Sequence, residues 1–263
     1  GMAGGGGGGG GGGPPRVLVL GATGGCGGPA VGRLLERGAA VTAVVRSAGR
    51  LPPAVRGHPR LRVVEAPGGH LGLDLREHLA GVQAVVSSLG HNLTPRGIWG
   101  PPWRLCRDTV RQVAAACRDL EAPGAPVRLI VVSTEGVSRP DGADPPRGFG
   151  ERLLLGALSL LLPPVADNEA TLAVLAQEVA GDLNPFVEFC AVRPSDMDDG
   201  ERSEYALHET LQHGAFAGAG ASSRANVGHC LAELAVDDAL WARWRGRWPH
   251  LLNAPPPPAS SPP

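Results

Sequence analysis

The chain of 263 residues contains no lysine; all 24 of its basic side chains are arginine. That absence removes the catalytic amine, the Schiff base and the lysine half of a proton relay together. Against 25 acidic residues the net charge is −1, which leaves no electrostatic footprint for nucleic acid or an anionic membrane. Aromatic residues make up only 4%, with Tyr205 the single tyrosine. No apolar run approaches the roughly 18 residues that a membrane span needs. The five cysteines (Cys26, Cys106, Cys117, Cys190 and Cys230) are scattered and never in C-x-x-C spacing, so neither a disulfide framework nor a zinc site is expected. The eight histidines form no H-x-x-x-H pair, and no metal is expected. There is no G-x-S-x-G elbow, which argues against a hydrolase. Cysteine usage fits a reduced, cytoplasmic compartment.

What the chain has in excess is glycine (40 residues) and proline (26 residues). The glycine run to Gly13 lacks the basic and apolar regions of a signal peptide. Residues 1–14 and 254–263 are expected to be disordered tails, on either side of one domain over 15–253.

The organising stretch is Gly21-Ala-Thr23-Gly24-Gly25-Cys26-Gly27, which follows an apolar run and precedes an amphipathic helix over 29–37. Strand, tight turn and helix in that order suit a phosphate: glycine admits a close backbone approach, and the helix start supplies free N–H groups and a positive dipole end. The spacing is G-x-x-G-x-x-G, not G-x-G-x-x-G. A β-branched run over 40–45 then ends at Arg46, with Arg50 nearby and no acid. An acid there would hold the ribose 2′-hydroxyl, whereas arginine accommodates a 2′-phosphate, which favours NADP over NAD. A solvated loop arginine is the alternative.

Further strands are expected over 61–65, 83–89, 127–134 and 186–192, and helices over 73–79, 103–120, 168–180, 227–234 and 238–243. Alternating strands and helices imply a doubly wound parallel sheet. His91 and Asn92 follow the fourth strand, where such sheets hold ligands; they either contact a ligand or satisfy loop backbone. Ser133 and Thr134 end the fifth strand, placed to donate to a substrate carbonyl or to cap the next turn. Asp167 is expected to cap the helix over 168–180. The segment from Leu153 to Leu162 is unusually apolar, hence a buried helix or one facing a partner or a second copy. The acidic stretch from Asp196 to Glu201 is expected to be a solvated turn.

Three segments carry a family resemblance: the turn from Gly21 to Gly27, Val131-Val132-Ser133-Thr134, and Val192-Arg193-Pro194 with Gly200 downstream. With them the chain resembles the atypical short-chain dehydrogenase/reductase superfamily, in its NAD(P)H-binding branch of NmrA-like and flavin/biliverdin reductase-like proteins. The resemblance covers about 15–253. It implies an α/β Rossmann-type sheet, an NADP cofactor, and a small, irregular C-terminal region over about 193–253 covering the substrate. Gly21, Thr23, Gly24, Gly25, Cys26 and Gly27 would surround the pyrophosphate. Arg46 would meet the 2′-phosphate, and Ser87, Ser88 and Leu89 the cofactor ribose. Ser133 would sit by the nicotinamide, bordered by Arg193 and Pro194. The family's Tyr-x-x-x-Lys pair is missing, since there is no lysine and Tyr205 follows the sixth strand. An acidic residue usual after the third strand is replaced by Gly68-Gly69-His70.

The expected activity is NADP(H)-dependent reduction of a small, largely apolar carbonyl, enone or flavin-like substrate. Candidates for catalysis are Ser133, Thr134, His91 and Tyr205, with His208 as a further proton source. One alternative is a non-catalytic NADP(H)-sensing protein that binds a partner through Leu153 to Leu162. Another is an isomerase, dehydratase or cyclase on the same fold.

Overall fold

The computed structural model describes residues 13–92, 94–120, 124–216 and 221–254, so the expected tails fall almost wholly outside it. Six strands run parallel where the sequence places them: β1 (Arg16–Leu20), β2 (Ala40–Val45), β3 (Leu61–Glu65), β4 (Ala84–Ser87), β5 (Val127–Val132) and β6 (Val187–Pro194). Their order is β3-β2-β1-β4-β5-β6. The chain therefore winds outward from β1 in one direction, then returns and winds in the other. Ligands bind at that switch, beyond the carboxyl ends of β1 and β4.

Side chains alternate along each strand, and both faces are covered. Val17 and Val19 pack with Ala30, Val31, Leu34 and Leu231 of α1 (Gly27–Glu36) and α7 (Arg224–Val236). Leu18 and Leu20 face the opposite way, into a cluster with Val110 and Val113 of α4 (Leu105–Leu120) and Leu172 of α6 (Pro163–Val174). Each fully buried Val or Leu contributes about 1.5–3 kcal/mol. Short helices α2 (Arg76–Leu79), α3 (Pro95–Trp99) and α8 (Asp238–Trp244) complete the layers.

Three departures from the sequence expectation have physical causes. The C-terminal region is regular. β10 (His250–Asn253) pairs parallel with β6, β8 (Tyr205–His208) pairs antiparallel with β10, and β7 (Asp196–Asp198) pairs with β9 (Ala221–Ser223). These strands of three or four residues carry no alternation of their own and exist through their pairing. Part of the expected acidic turn is thus β7. Asp167 is no cap of its own helix: Pro163 and Pro164 start α6 four residues earlier, since proline is pre-organised for a first turn. Asp167 is then fully buried and caps α4 from across the interface, accepting from the N–H of Cys106 (2.8 Å) and of Arg107 (3.1 Å). Finally, α5 (Phe149–Leu161) has no buried residue, and Phe149 and Leu160 are 83% and 86% exposed. Among the described residues no single helix is long and apolar enough to cross a membrane; α5 and the helix after it pass that test only as a pair bent by 103°.

α7 crosses α1 at Gly228. A Cβ there would lie 2.6 Å from the Cys26 carbonyl oxygen and 2.7 Å from Pro29 Cβ. Gly228→Val is expected to cost about 1–3 kcal/mol in urea unfolding, because helix backbone cannot give way as a side chain can.

His70 gives the fold a dependence on pH. It is buried, with Nε2 2.7 Å from Thr109 Oγ1. The Thr109 hydroxyl donates to the Leu105 carbonyl (2.6 Å), so its oxygen accepts from His70 N–H. Burial pushes His70 from 6.5 down to about 4. Above pH 6.5 the ring is neutral folded or unfolded; as pH falls towards 4 the unfolded chain takes up a proton that the fold refuses. Stability should therefore fall over that window, by on the order of 3 kcal/mol from this residue. Burial lowers His208 and His229 in the same direction. Denaturant unfolding of His70→Gln between pH 4 and 7 should show a shallower slope than the parent.

Candidate cofactor cleft

At the carboxyl ends of β1, β2, β4 and β5 lies a cleft of about 720 Å³, within the size range of small-molecule sites. Its floor is the glycine turn. Gly21 has a φ of +89°, and a Cβ there would sit 2.7 Å from the Ser88 carbonyl oxygen. A Cβ at Gly27 would run into the Gly21 carbonyl and lie 2.6 Å from Ser88 Oγ. The N–H of Gly24 closes the turn onto Gly21 O (2.9 Å). Those of Thr23, Gly25 and Cys26 find no acceptor among the described residues, which leaves three donors at the start of α1, where the dipole is positive. Thr23, Gly24, Gly25 and Cys26 line the cleft. Cys26 is a packing residue: burial pushes its thiol up to about 11, and Sγ contacts Met197 Sδ at 3.6 Å.

Arg46 and Arg50 line the end beyond β2. Both are exposed, and among the described residues neither guanidinium has a hydrogen-bond or ion-pair partner. Their loop is held in place: Glu65 accepts from the N–H of Ala48, and Arg56 bonds Leu51 O (2.8 Å) and Gly49 O (2.6 Å). Arg96 lines the opposite side, and among the described residues no Asp or Glu lines the cleft. Three arginines without a carboxylate suit a ligand with several phosphates.

The other wall is the loop after β4, carrying Ser88, Leu89, His91, Asn92 and Thr94. His91 pins it. Its Nε2 lies 2.8 Å from Asp167 Oδ2, and its Nδ1 3.2 Å from the Gly97 carbonyl. Both ring nitrogens therefore face oxygens of the protein, and neither is turned to the cleft. Sequence reasoning missed the role of Asp167, which joins this loop to the start of α4; its only signal was a carboxylate in an apolar helix.

The remaining expected site residues lie away from the cleft lining. Ser87 is buried inside β4. Val132 lines the cleft, while Ser133, next along the strand, is buried with its hydroxyl unpartnered. Thr134 Oγ1 accepts from the N–H of Gly136 (3.2 Å), the capping alternative. Arg193 is fully buried in β6 and holds Asp144 through both guanidinium nitrogens at 2.5 and 3.0 Å, plus the Trp248 carbonyl. All three nitrogens of that guanidinium are engaged, and Pro194 follows it in the same strand. Tyr205 sits on β8 against α7, its hydroxyl 2.9 Å from His229 Nδ1, with burial raising its pKa. Addition of β8 to the far side of β10 carries it there.

A second polar cluster forms beyond β5, β6 and β10. Ser195 Oγ is 2.7 Å from Glu135 Oε2 and 2.9 Å from His250 Nε2, with His213 beside them. His250 Nδ1 accepts from the N–H of Gln212 (3.2 Å), so the ring proton is on Nε2. Nε2 then donates to Ser195, and Ser195 donates to Glu135. The order is the reverse of a nucleophilic triad, and it leaves no lone pair on Nε2 for a metal.

The fold has many solved relatives. A Lactobacillus casei protein is 21% identical, with 91% of this chain and 100% of that chain covered and a TM-score of 0.65. A Streptococcus pneumoniae protein named as an NADH-flavin reductase is 19% identical, covering 91% and 100%, with a TM-score of 0.63. A Veillonella parvula short-chain dehydrogenase/reductase, solved in complex with NADP, is 17% identical, covering 91% and 94%, also at 0.63. No curated protein matches the chain by sequence. Residues 21–238 match the family described as NAD(P)H-binding, and with the glycine turn, the switch-point cleft and its arginines in place, the chain belongs to that family.

Proposed function

We propose that the protein is an NADPH-dependent reductase whose substrate takes its proton from water. The observation that carries this is the pair Arg46 and Arg50, exposed at the end of β2 and, among the described residues, without a partner and in a cleft that no carboxylate lines. A 2′-phosphate is the group that such a pair suits, and no acid is there to hold an unphosphorylated ribose.

The chemistry of the substrate follows from what the cleft lacks. Hydride delivery to a carbonyl leaves an alkoxide that needs a proton donor at once. Here lysine is absent, Tyr205 lies on β8 and both ring nitrogens of His91 are occupied. A flavin or a quinone avoids the problem: it accepts the hydride, its reduced form is a stabilised anion, and solvent supplies the proton. A flavin-like substrate also agrees with the name of the Streptococcus pneumoniae neighbour. Among the described residues no carboxylate base lines the cleft, which speaks against isomerisation or dehydration.

Titration of NADPH and NADH by fluorescence should show tighter NADPH binding. Arg46→Ala with Arg50→Ala should weaken NADPH about tenfold or more while leaving NADH nearly unchanged, the loss expected for charge-assisted contacts to one phosphate. NADPH oxidation should proceed with flavins and quinones and not with simple aldehydes; turnover confined to aldehydes would refute the substrate class.

A second reading, an NADP(H)-sensing protein with a protein partner, is favoured by α5, whose exposed residues include Phe149, Leu153, Leu154, Leu160 and Leu161. Leu154→Glu with Leu161→Glu should then abolish a pull-down partner without altering NADPH affinity. An unchanged partner set would remove this reading.

A further inference from the structure

The glycine turn has a neighbour that neither its own motif nor the family match assigns. Arg224, the first residue of α7, lies against Gly25: a Cβ built on Gly25 would collide with Arg224 Cδ and sit 3.2 Å from its Nε. Its Nη1 bonds Asp199 Oδ1 at 2.7 Å. Both charges bear on the Cys26 thiol, in opposite senses. A guanidinium is therefore parked beside the three free turn donors, tethered to a carboxylate just beyond Met197 of the cleft wall.

The tether is weak and the base is firm. The Asp199 side chain is 91% exposed and that of Arg224 33%, so water screens the pair. The backbone behind Arg224 is fixed: Ser223 Oγ caps α7 by accepting from the N–H of Asn226 (3.0 Å), and the Ser223 N–H donates to Asn253 Oδ1 (3.0 Å). Only the end of the side chain has to turn.

We propose that Arg224 is a clamp on the pyrophosphate of the bound nucleotide, with Asp199 as its resting counter-ion. This rests on the reading of the turn as the pyrophosphate site. Two phosphate charges against the turn offer the guanidinium fork a bidentate partner that one solvated carboxylate cannot match. Arg224 adds to the turn a charge supplied by the C-terminal region. It acts on NADPH and NADH alike, since both carry the pyrophosphate, whereas Arg46 and Arg50 act on NADPH alone. Asp199 competes for the clamp and so weakens binding.

Calorimetric titration of the full chain, its Arg224→Gln variant and its Asp199→Asn variant with NADPH and NADH tests this, alongside melting curves of the free proteins. Arg224→Gln should raise both dissociation constants by about tenfold, the scale of one charge-assisted contact, and leave the melting temperature of the free protein unchanged. Asp199→Asn should tighten both nucleotides. Unchanged affinity in Arg224→Gln, a loss confined to NADPH, a matching fall in melting temperature, or weaker binding in Asp199→Asn would each overturn the clamp. Failure of the parent chain to bind either nucleotide would instead overturn the reading of the turn, and the clamp with it.

Discussion

Backbone-to-backbone contact around residues 21–28 is the constraint on which the rest is arranged. Gly21 rests on the Ser88 carbonyl, Gly27 on the Gly21 carbonyl, and Gly228 on the carbonyl of Cys26. Three elements distant in sequence meet there with no side chain between them: the start of α1, the loop after β4, and α7. Such contacts tolerate no compression, because interiors are already at crystal-like density. The cleft inherits its shape from them. The turn donors point outward because α1 cannot begin elsewhere, and the C-terminal segment reaches the same place because α7 must cross α1 at that glycine.

Charge is distributed with the same economy. The acids that could have entered the cleft are committed elsewhere. Asp167 is buried as the cap of α4, Glu135 accepts from Ser195, and Asp144 holds the buried Arg193. A buried carboxylate without partners is costly, and each of these has a set of donors that explains its position. What remains in the cleft lining is positive: Arg46, Arg50 and Arg96, with no carboxylate among the described lining residues. The internal ion pairs at the sheet ends thus stand apart from the switch point, and none of these three acids lines the cleft.

Much of this was legible in the sequence. The six parallel strands were, because each is a local apolar or β-branched run and both faces are covered. The glycine turn and Arg46 were also legible, since a strand, a turn and a helix in that order place them whatever lies further along the chain. Tyr205 and Arg193 were not: β8 exists only by pairing with β10, and Arg193 is burdened by an Asp144 that lies 49 positions away. Asp167 illustrates the same limit. As a residue type it signals a helix cap, and it is one, but the helix it caps begins 62 residues earlier in the chain. Local pattern reports what a residue is suited to do; the partner is chosen by the tertiary fold.

The walls of the cleft come from separate stretches of chain: the turn at 21–26, the end of β2 with Arg46 and Arg50, the segment 67–71 after β3, the segment 88–105 after β4, and Met197. A nucleotide bound across them would act as a reversible cross-link between the two windings of the sheet, with a stabilisation that grows with the logarithm of its free concentration above the dissociation constant. Resistance of the protein to unfolding would thereby be coupled to nucleotide supply. A fall in that supply would lower the stability of the whole domain by the same relation, with no change in the chain itself.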